Sequence, residues 1–181
     1  MTTGWLALGI VGAVLVFWML GAYNRLVAMR NQIGAAWAKV DEARQQRAAG
    51  LTPLLQALDE PLTARHSALD EMAAAHAATE AAAAAMGPRP VSMVHALAWT
   101  RAESTLAAAA SRVFALVEVD PMLQQSPGVL QGSAVWNEAG TRLAFARQLY
   151  NDAADGYDEA IAAWPTRLLV RRFSFAPAGR L

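Results

Sequence analysis

The chain has 181 residues, room for one domain and a short appendage. Apolar residues make up 55% and charged residues 17%; alanine inflates the first figure, so a polytopic membrane protein is excluded. Fifteen basic and 15 acidic side chains cancel, leaving no basic excess for nucleic acid, and with no cysteine there are no disulfides, thiolate metal sites or cysteine nucleophiles.

From Gly4 to Ala22 the sequence reads GWLALGIVGAVLVFWMLGA, and the first charged side chain is Arg25. These 19 residues span about 28 Å as a helix, close to the ~30 Å hydrocarbon core of a bilayer. Trp5 sits at one end, and Trp18 and Tyr23 near the other, where amphipathic rings favour the interface. The opening MTTGW carries no Lys or Arg, and the apolar run is longer than a signal-peptide core. The pattern predicts a transmembrane anchor over residues 1–23, contacting the bilayer through 4–22. Gly9, Gly12 and Ala13 offer small surfaces for close helix packing. Past the span come Arg25, Arg30, Lys39, Arg44 and Arg47 against Asp41 and Glu42. The positive-inside rule then predicts a cytoplasmic domain with the N-terminus outside; the alternative is a periplasmic or otherwise external domain.

Beyond the span, Leu26, Ile33, Trp37, Val40, Leu51, Leu54 and Leu58 recur at helical spacing. The membrane helix is therefore expected to run straight into an amphipathic one, with Gly50 and Pro53 its first break. Asp59 or Glu60 before Pro61 marks a second helix start, in an alanine-rich stretch of high helix propensity. Gly87–Pro90, reading GPRP, is a loop, and Ser92 caps a third helix to about Glu118. Pro121 and Pro127 break the chain again. A last helix is expected from about Leu130 to Trp164, with the stripe Trp136, Ala139, Leu143, Ala146, Tyr150, Ala153, Tyr157, Ile161 and Trp164. The tail holds FSFAP, a short extended piece.

Four soluble segments of roughly 35–50 Å each, joined by short loops, predict an all-α fold: a transmembrane helix continuing into an antiparallel four-helix bundle over 24–165. If Pro53 and Pro61 only kink the first helix, three long helices result. Four antiparallel segments return the tail, 166–181, towards the membrane; three leave it distal.

Several short stretches in this order are diagnostic: the apolar span, YNRLVAMRNQIGAAWAKVD, RVFALVEVDPML, TRLAFARQLYNDAADGYDEAI, WP and FSFAP. The chain resembles the LemA family of bacterial membrane-anchored helical proteins over most of residues 1–50 and 110–177. Tyr23-Asn24, Ala36-Trp37 and Ala146-Arg147-x-x-Tyr150-Asn151 carry the resemblance most specifically. The middle departs from it: RAAGLTPLL and an alanine-rich run stand where the family usually has paired basic residues, a leucine-and-proline motif and a charged helix. The resemblance implies a single-pass anchor in the bacterial inner membrane and a helical bundle. It implies no catalytic residues and no cofactor.

Candidate chemistry is sparse. His66 with Asp70 and His76 with Glu80 are i,i+4 pairs, and Glu71 lies nearby. His66 and His76 are ~80° out of phase around a helix, and Glu-x-x-His is missing, so a solvated face is expected and no metal site. Nucleophile-elbow, phosphate-loop and zinc-protease motifs are missing too, and no enzyme activity is expected. Asn24, Asn151 and Asp152 are candidate interaction residues beside the packed stripe. Arg44, Arg47, Arg142 and Arg147 are placed to pair with carboxylates across the bundle. In the tail, Arg167, Arg171, Arg172, Phe173 and Phe175 combine basic and apolar groups that suit an anionic lipid surface; the reading preferred over this is that Leu168, Val170, Phe173 and Phe175 cover the open end of the bundle. The role expected is a membrane-anchored scaffold that meets a protein partner or itself, or else a lipid-binding or membrane-remodelling module using the tail.

Overall fold

A computed structural model describes residues 2–59, 61–62, 66–173 and 175–181. Helix α1 (Thr2–Asp59) is followed by α2 (His66–Met86), α3 (Met93–Glu118), a single-turn α4 (Pro121–Gln125), α5 (Pro127–Ala162) and a short α6 (Arg167–Phe173). No strand occurs among the described residues.

Helix α1 has 58 residues without interruption, about 87 Å at the usual rise. Its first part is long and apolar enough to cross a membrane. Every side chain from Leu8 to Leu20 is exposed. From Leu8 onward the first buried side chain is Leu26, where the heptad-like stripe starts.

The expected break at Gly50 and Pro53 is overturned. Pro53 lies inside the helix with its ring exposed. It forfeits one backbone hydrogen bond, but Leu51, Leu54 and Leu58 around it are each no more than 1% exposed and pin the segment to the core. Gly50 serves packing instead. Across the same crossing, a Cβ on Gly132 would stand 2.7 Å from Leu54 Cβ and 3.0 Å from its Cα, so α1 and α5 meet nearly backbone to backbone there.

The chain turns at Pro61-Leu62, held by Leu62 N–H donating to Leu58 O at 3.0 Å. The second helix start moves accordingly: Asp59 closes α1, α2 opens at His66, and Glu60 lies outside the described residues. Ser92 caps α3 as expected, its Oγ accepting from His95 N–H. Pro121 and Pro127 start helices rather than only breaking them. Each sits in the first turn, where its missing N–H has no intrahelical partner to lose, and Asp120 caps α4 by accepting from Met122 N–H at 2.9 Å. The last long helix therefore opens at Pro127 and closes at Ala162, and Trp164, expected on its buried stripe, is 74% exposed.

Two apolar clusters fix the topology. One joins Leu26–Ala43 of α1 to Ala83 and Met86, Ala96 and Trp99, and Leu143–Ile161. The other joins Leu51–Leu58 to Leu69–Ala75, Leu106–Val117 and Val129–Trp136. The chain thus reverses three times, giving the antiparallel four-helix bundle. Helix α1 packs mainly on α5, and α2 on α3. Phe175, Ala178 and Leu181 join the first cluster, so the tail returns to the end from which the apolar segment emerges.

Candidate functional site

Between the two apolar clusters lies a layer of polar side chains. Among the described residues, Arg44, Arg47, Thr79 and Glu103 are the buried polar or charged ones. Arg47 pairs with Glu103 across α1 and α3, and its guanidinium lies 4.8 Å from the Trp136 ring centre. Arg44 pairs with Asp41 at 2.7 Å and with Glu80 of α2. Burial alone would lower the Arg44 pKa, but the hydrogen bonds its guanidinium donates to Glu80 and Asp41 outweigh it and raise the value. Thr79 donates to Ala75 O at 3.0 Å. Of the other two arginines, Arg142 bonds Glu138 on its own helix and Gln46 across to α1, while Arg147 sits 5.5 Å from the Trp99 ring centre and meets no carboxylate among the described residues.

His76 borders this layer, 3.9 Å from Glu80. Burial lowers its pKa below 6.5; Glu80 opposes that, while Arg47 and Arg44 reinforce it. A depressed folded-state value leaves stability intact above the unfolded pKa near 6.5 and removes it as pH falls from there through the folded pKa. The urea midpoint of the wild type is expected to drop on acidification from pH 7.5 to 5 by more than that of His76→Gln; equal drops would refute the assignment.

The other histidines are dispersed. His66 lies 3.3 Å from Asp59, and His95 Nδ1 2.7 Å from Ser92 Oγ. Among the described residues no three His, Asp or Glu side chains converge in a metal-holding group.

The end of the bundle nearest the apolar segment is built differently. Trp18, Gly21, Ala22 and Arg25 share a crevice with Ala160 and Thr166. The Tyr23 ring lies 5.1 Å from Phe173 and 5.8 Å from Phe175, so the end of the apolar run and α6 stand at one level. Arg167 and Leu168 are exposed and Phe173 is 41% exposed, whereas Phe175 is 5% exposed beneath Arg30. Phe175 therefore closes the bundle end, and its ring is not presented outward as a lipid contact requires. The side chains of Arg171 and Arg172 lie outside what the structure describes.

From Phe175 the chain climbs as an irregular strap between α5 and α3. Tyr157 Oη donates to Ala176 O at 3.2 Å, and Asp158 accepts from Ala178 N–H at 2.9 Å. Gly179 N–H donates to Val91 O at 3.2 Å, and Thr100 Oγ1 donates to Arg180 O at 3.4 Å. Asn151 reads Leu181 twice, donating to its carbonyl at 2.9 Å and accepting from its N–H at 2.8 Å. The Arg180 guanidinium forks between Asp155 at 2.8 Å and Asp158 at 2.9 Å. Beside the strap, Tyr150 Oη donates to Pro90 O at 2.5 Å, and burial pushes its pKa up to about 12.

The three candidate interaction residues thus part company. Asn24 and Asp152 are exposed, while Asn151 is engaged with the chain's own Leu181. The strap contacts were missed from sequence, although Asn151, Asp155 and Asp158 stand at i, i+4 and i+7. That spacing put three polar groups on one face beside the Tyr150–Tyr157 stripe.

The architecture is that of an all-α bundle carried on a long apolar helix, closed at its base by its own tail. Residues 36–180 match the family model described as the LemA family, and the chain belongs to that family. The match spans the alanine-rich α2 and reaches Arg180 in the strap. No curated protein matches the chain.

Proposed function

We propose that this LemA-family protein is a membrane-anchored scaffold that displays its helical bundle for a protein partner or for self-association. The observation that carries this is the continuity of α1, which passes from an exposed apolar segment into the bundle core without a break. A continuous helix transmits position and orientation, so the bundle stands at a fixed height above the bilayer. The basic excess at Arg25, Arg30 and Lys39 supports a cytoplasmic bundle at the bacterial inner membrane. The full chain is expected to float with lipid vesicles and resist alkaline extraction. Paired Val14→Arg and Phe17→Arg substitutions, each costing about 2.5–3.5 kcal/mol on insertion scales, should release it. Flotation unchanged by both charges would defeat the anchoring.

A second reading, lipid binding through the tail, is supported by α6 standing level with Tyr23 and by exposed Trp164 and Leu168. Such a rim fits the interfacial layer, and Arg167, Arg171 and Arg172 supply charge for anionic headgroups. In a chain lacking residues 1–22, Arg171→Glu with Arg172→Glu should weaken binding to anionic liposomes at low salt. Unchanged binding counts against this reading.

A further inference from the structure

The strap is held the way a bound peptide is held. Five of its residues, Ala176, Ala178, Gly179, Arg180 and Leu181, are engaged through backbone groups, as read by Tyr157, Asp158, Val91 O, Thr100 and Asn151. Side chains add selectivity at three points. Leu181 is 8% exposed in the first apolar cluster, and Arg180 forks between two aspartates. At Gly179 a Cβ would fall 2.4 Å from Ala96 Cβ and 2.8 Å from Met93 Cα, so only glycine fits without displacement. Main-chain bonding gives affinity, and pockets for selected side chains give specificity, which is the general logic of extended-peptide recognition.

We propose that the α3–α5 groove is a peptide-recognition site whose tethered ligand is the chain's own strap, and that a second copy supplies the same ligand in trans by strap exchange. A second copy carries the identical Phe-Ala-Pro-Ala-Gly-Arg-Leu sequence, so it brings the complementary glycine, arginine and leucine in register. Resting on the anchoring reading above, its strap also lies at the same height and in the same orientation over one bilayer, which leaves only lateral approach to be searched. Exchange of an identical element is a low-cost route to a dimer, because each interaction broken in cis forms again in trans. The strap also bridges the two helical pairs, bonding to α5 and to α3 together with the loop before it, so exchange would tie the pairs of one copy to those of its neighbour.

The test is complementation between two full-length variants in detergent. Gly179→Val disables the strap and leaves the groove intact. Asn151→Ala with Asp158→Ala disables the groove and leaves the strap intact. The mixed pair is expected to associate at least tenfold more than either variant alone by energy transfer between labelled copies. Free heptapeptide of the strap sequence should reverse the association. Pairing no greater than that of the separate variants would overturn the proposal. Should either variant lose helicity, the wild-type chain supplies the deciding result. A short tether holds the strap at an effective concentration on the order of mM. Several mM of heptapeptide must then speed hydrogen exchange in the tethered strap, and the analogue carrying Gly179→Val must not. Equal effects of the two peptides, or none, would overturn it as well. Vesicle flotation is scored separately: a chain that floats without pair-specific association defeats exchange alone, and one that associates without floating defeats anchoring alone.

Discussion

Glu103→Ala is expected to cost the bundle about 3–5 kcal/mol, because it strands the Arg47 guanidinium in the interior without its carboxylate. Both side chains are nearly enclosed, at 11% and 7% exposure. The Trp136 ring offers Arg47 a cation–π contact of roughly 0.5–2 kcal/mol, too little to replace an ion pair removed from water. A paired replacement, Arg47→Met with Glu103→Leu, removes both charges and fills similar volume, so it should restore most of the lost stability. Urea unfolding of the chain lacking residues 1–22 reads both effects as shifts in midpoint at constant slope. A double variant as unstable as the single one would show that the stranded charge is not the cause. The exposed pairs Arg112–Glu71 and Arg142–Glu138 serve as controls, since such surface pairs contribute only ~0–1 kcal/mol each.

Trp99→Ala should be comparably damaging, about 3–5 kcal/mol. Trp99 is 0% exposed and meets Trp37 edge-on at 5.7 Å, with the Arg147 guanidinium 5.5 Å from its ring centre. It therefore fills the space where α3 joins the α1–α5 pair, and truncation leaves a large cavity there. Its Nε1 is buried with no hydrogen-bond partner among the described residues. An unpaired buried donor costs about 1–3 kcal/mol, which Trp99→Phe removes while keeping much of the ring. Trp99→Phe should consequently be far milder than Trp99→Ala. Equal losses in the same urea experiment would show that shape, and not the unpaired donor, governs the site.

Regular packing was legible in the sequence where a period exists. Leu26, Ile33, Trp37, Val40, Leu51, Leu54 and Leu58 are all buried, and so are Trp136, Leu143, Tyr150, Tyr157 and Ile161. One stripe position slid from Ala153 to Ala154, the adjustment expected when a 3.6-residue turn is extrapolated over many turns. Pro53 misled because a local preference for breaking a helix competes with three leucines anchoring it, and the tertiary contacts prevail. Arg44 and Arg47 were legible as pairing residues, but not as an interior layer, since partners Glu80 and Glu103 lie on other helices. Closure of the bundle end by Phe175 was legible in the tail's apolar residues, but the strap's bonds were illegible for a deeper reason. An irregular segment has no period, and its bonds to Asn151, Tyr157 and Asp158 depend on the bundle already being assembled. Its one local sign was the pairing of Gly179, which accepts close approach, with Arg180.

Burial of Leu181 also determines where a topology probe can be placed. A reporter fused after that residue would disturb the strap, whereas single cysteines can be placed freely in a chain that has none. The decisive measurement is labelling of Thr3→Cys and Ala98→Cys by a membrane-impermeant maleimide, before and after cells are permeabilised. A chain that crosses once between residues 4 and 22, with its bundle inside, predicts Thr3→Cys labelled in intact cells and Ala98→Cys labelled only after permeabilisation. Labelling of both positions from the same side would contradict the anchored bundle outright.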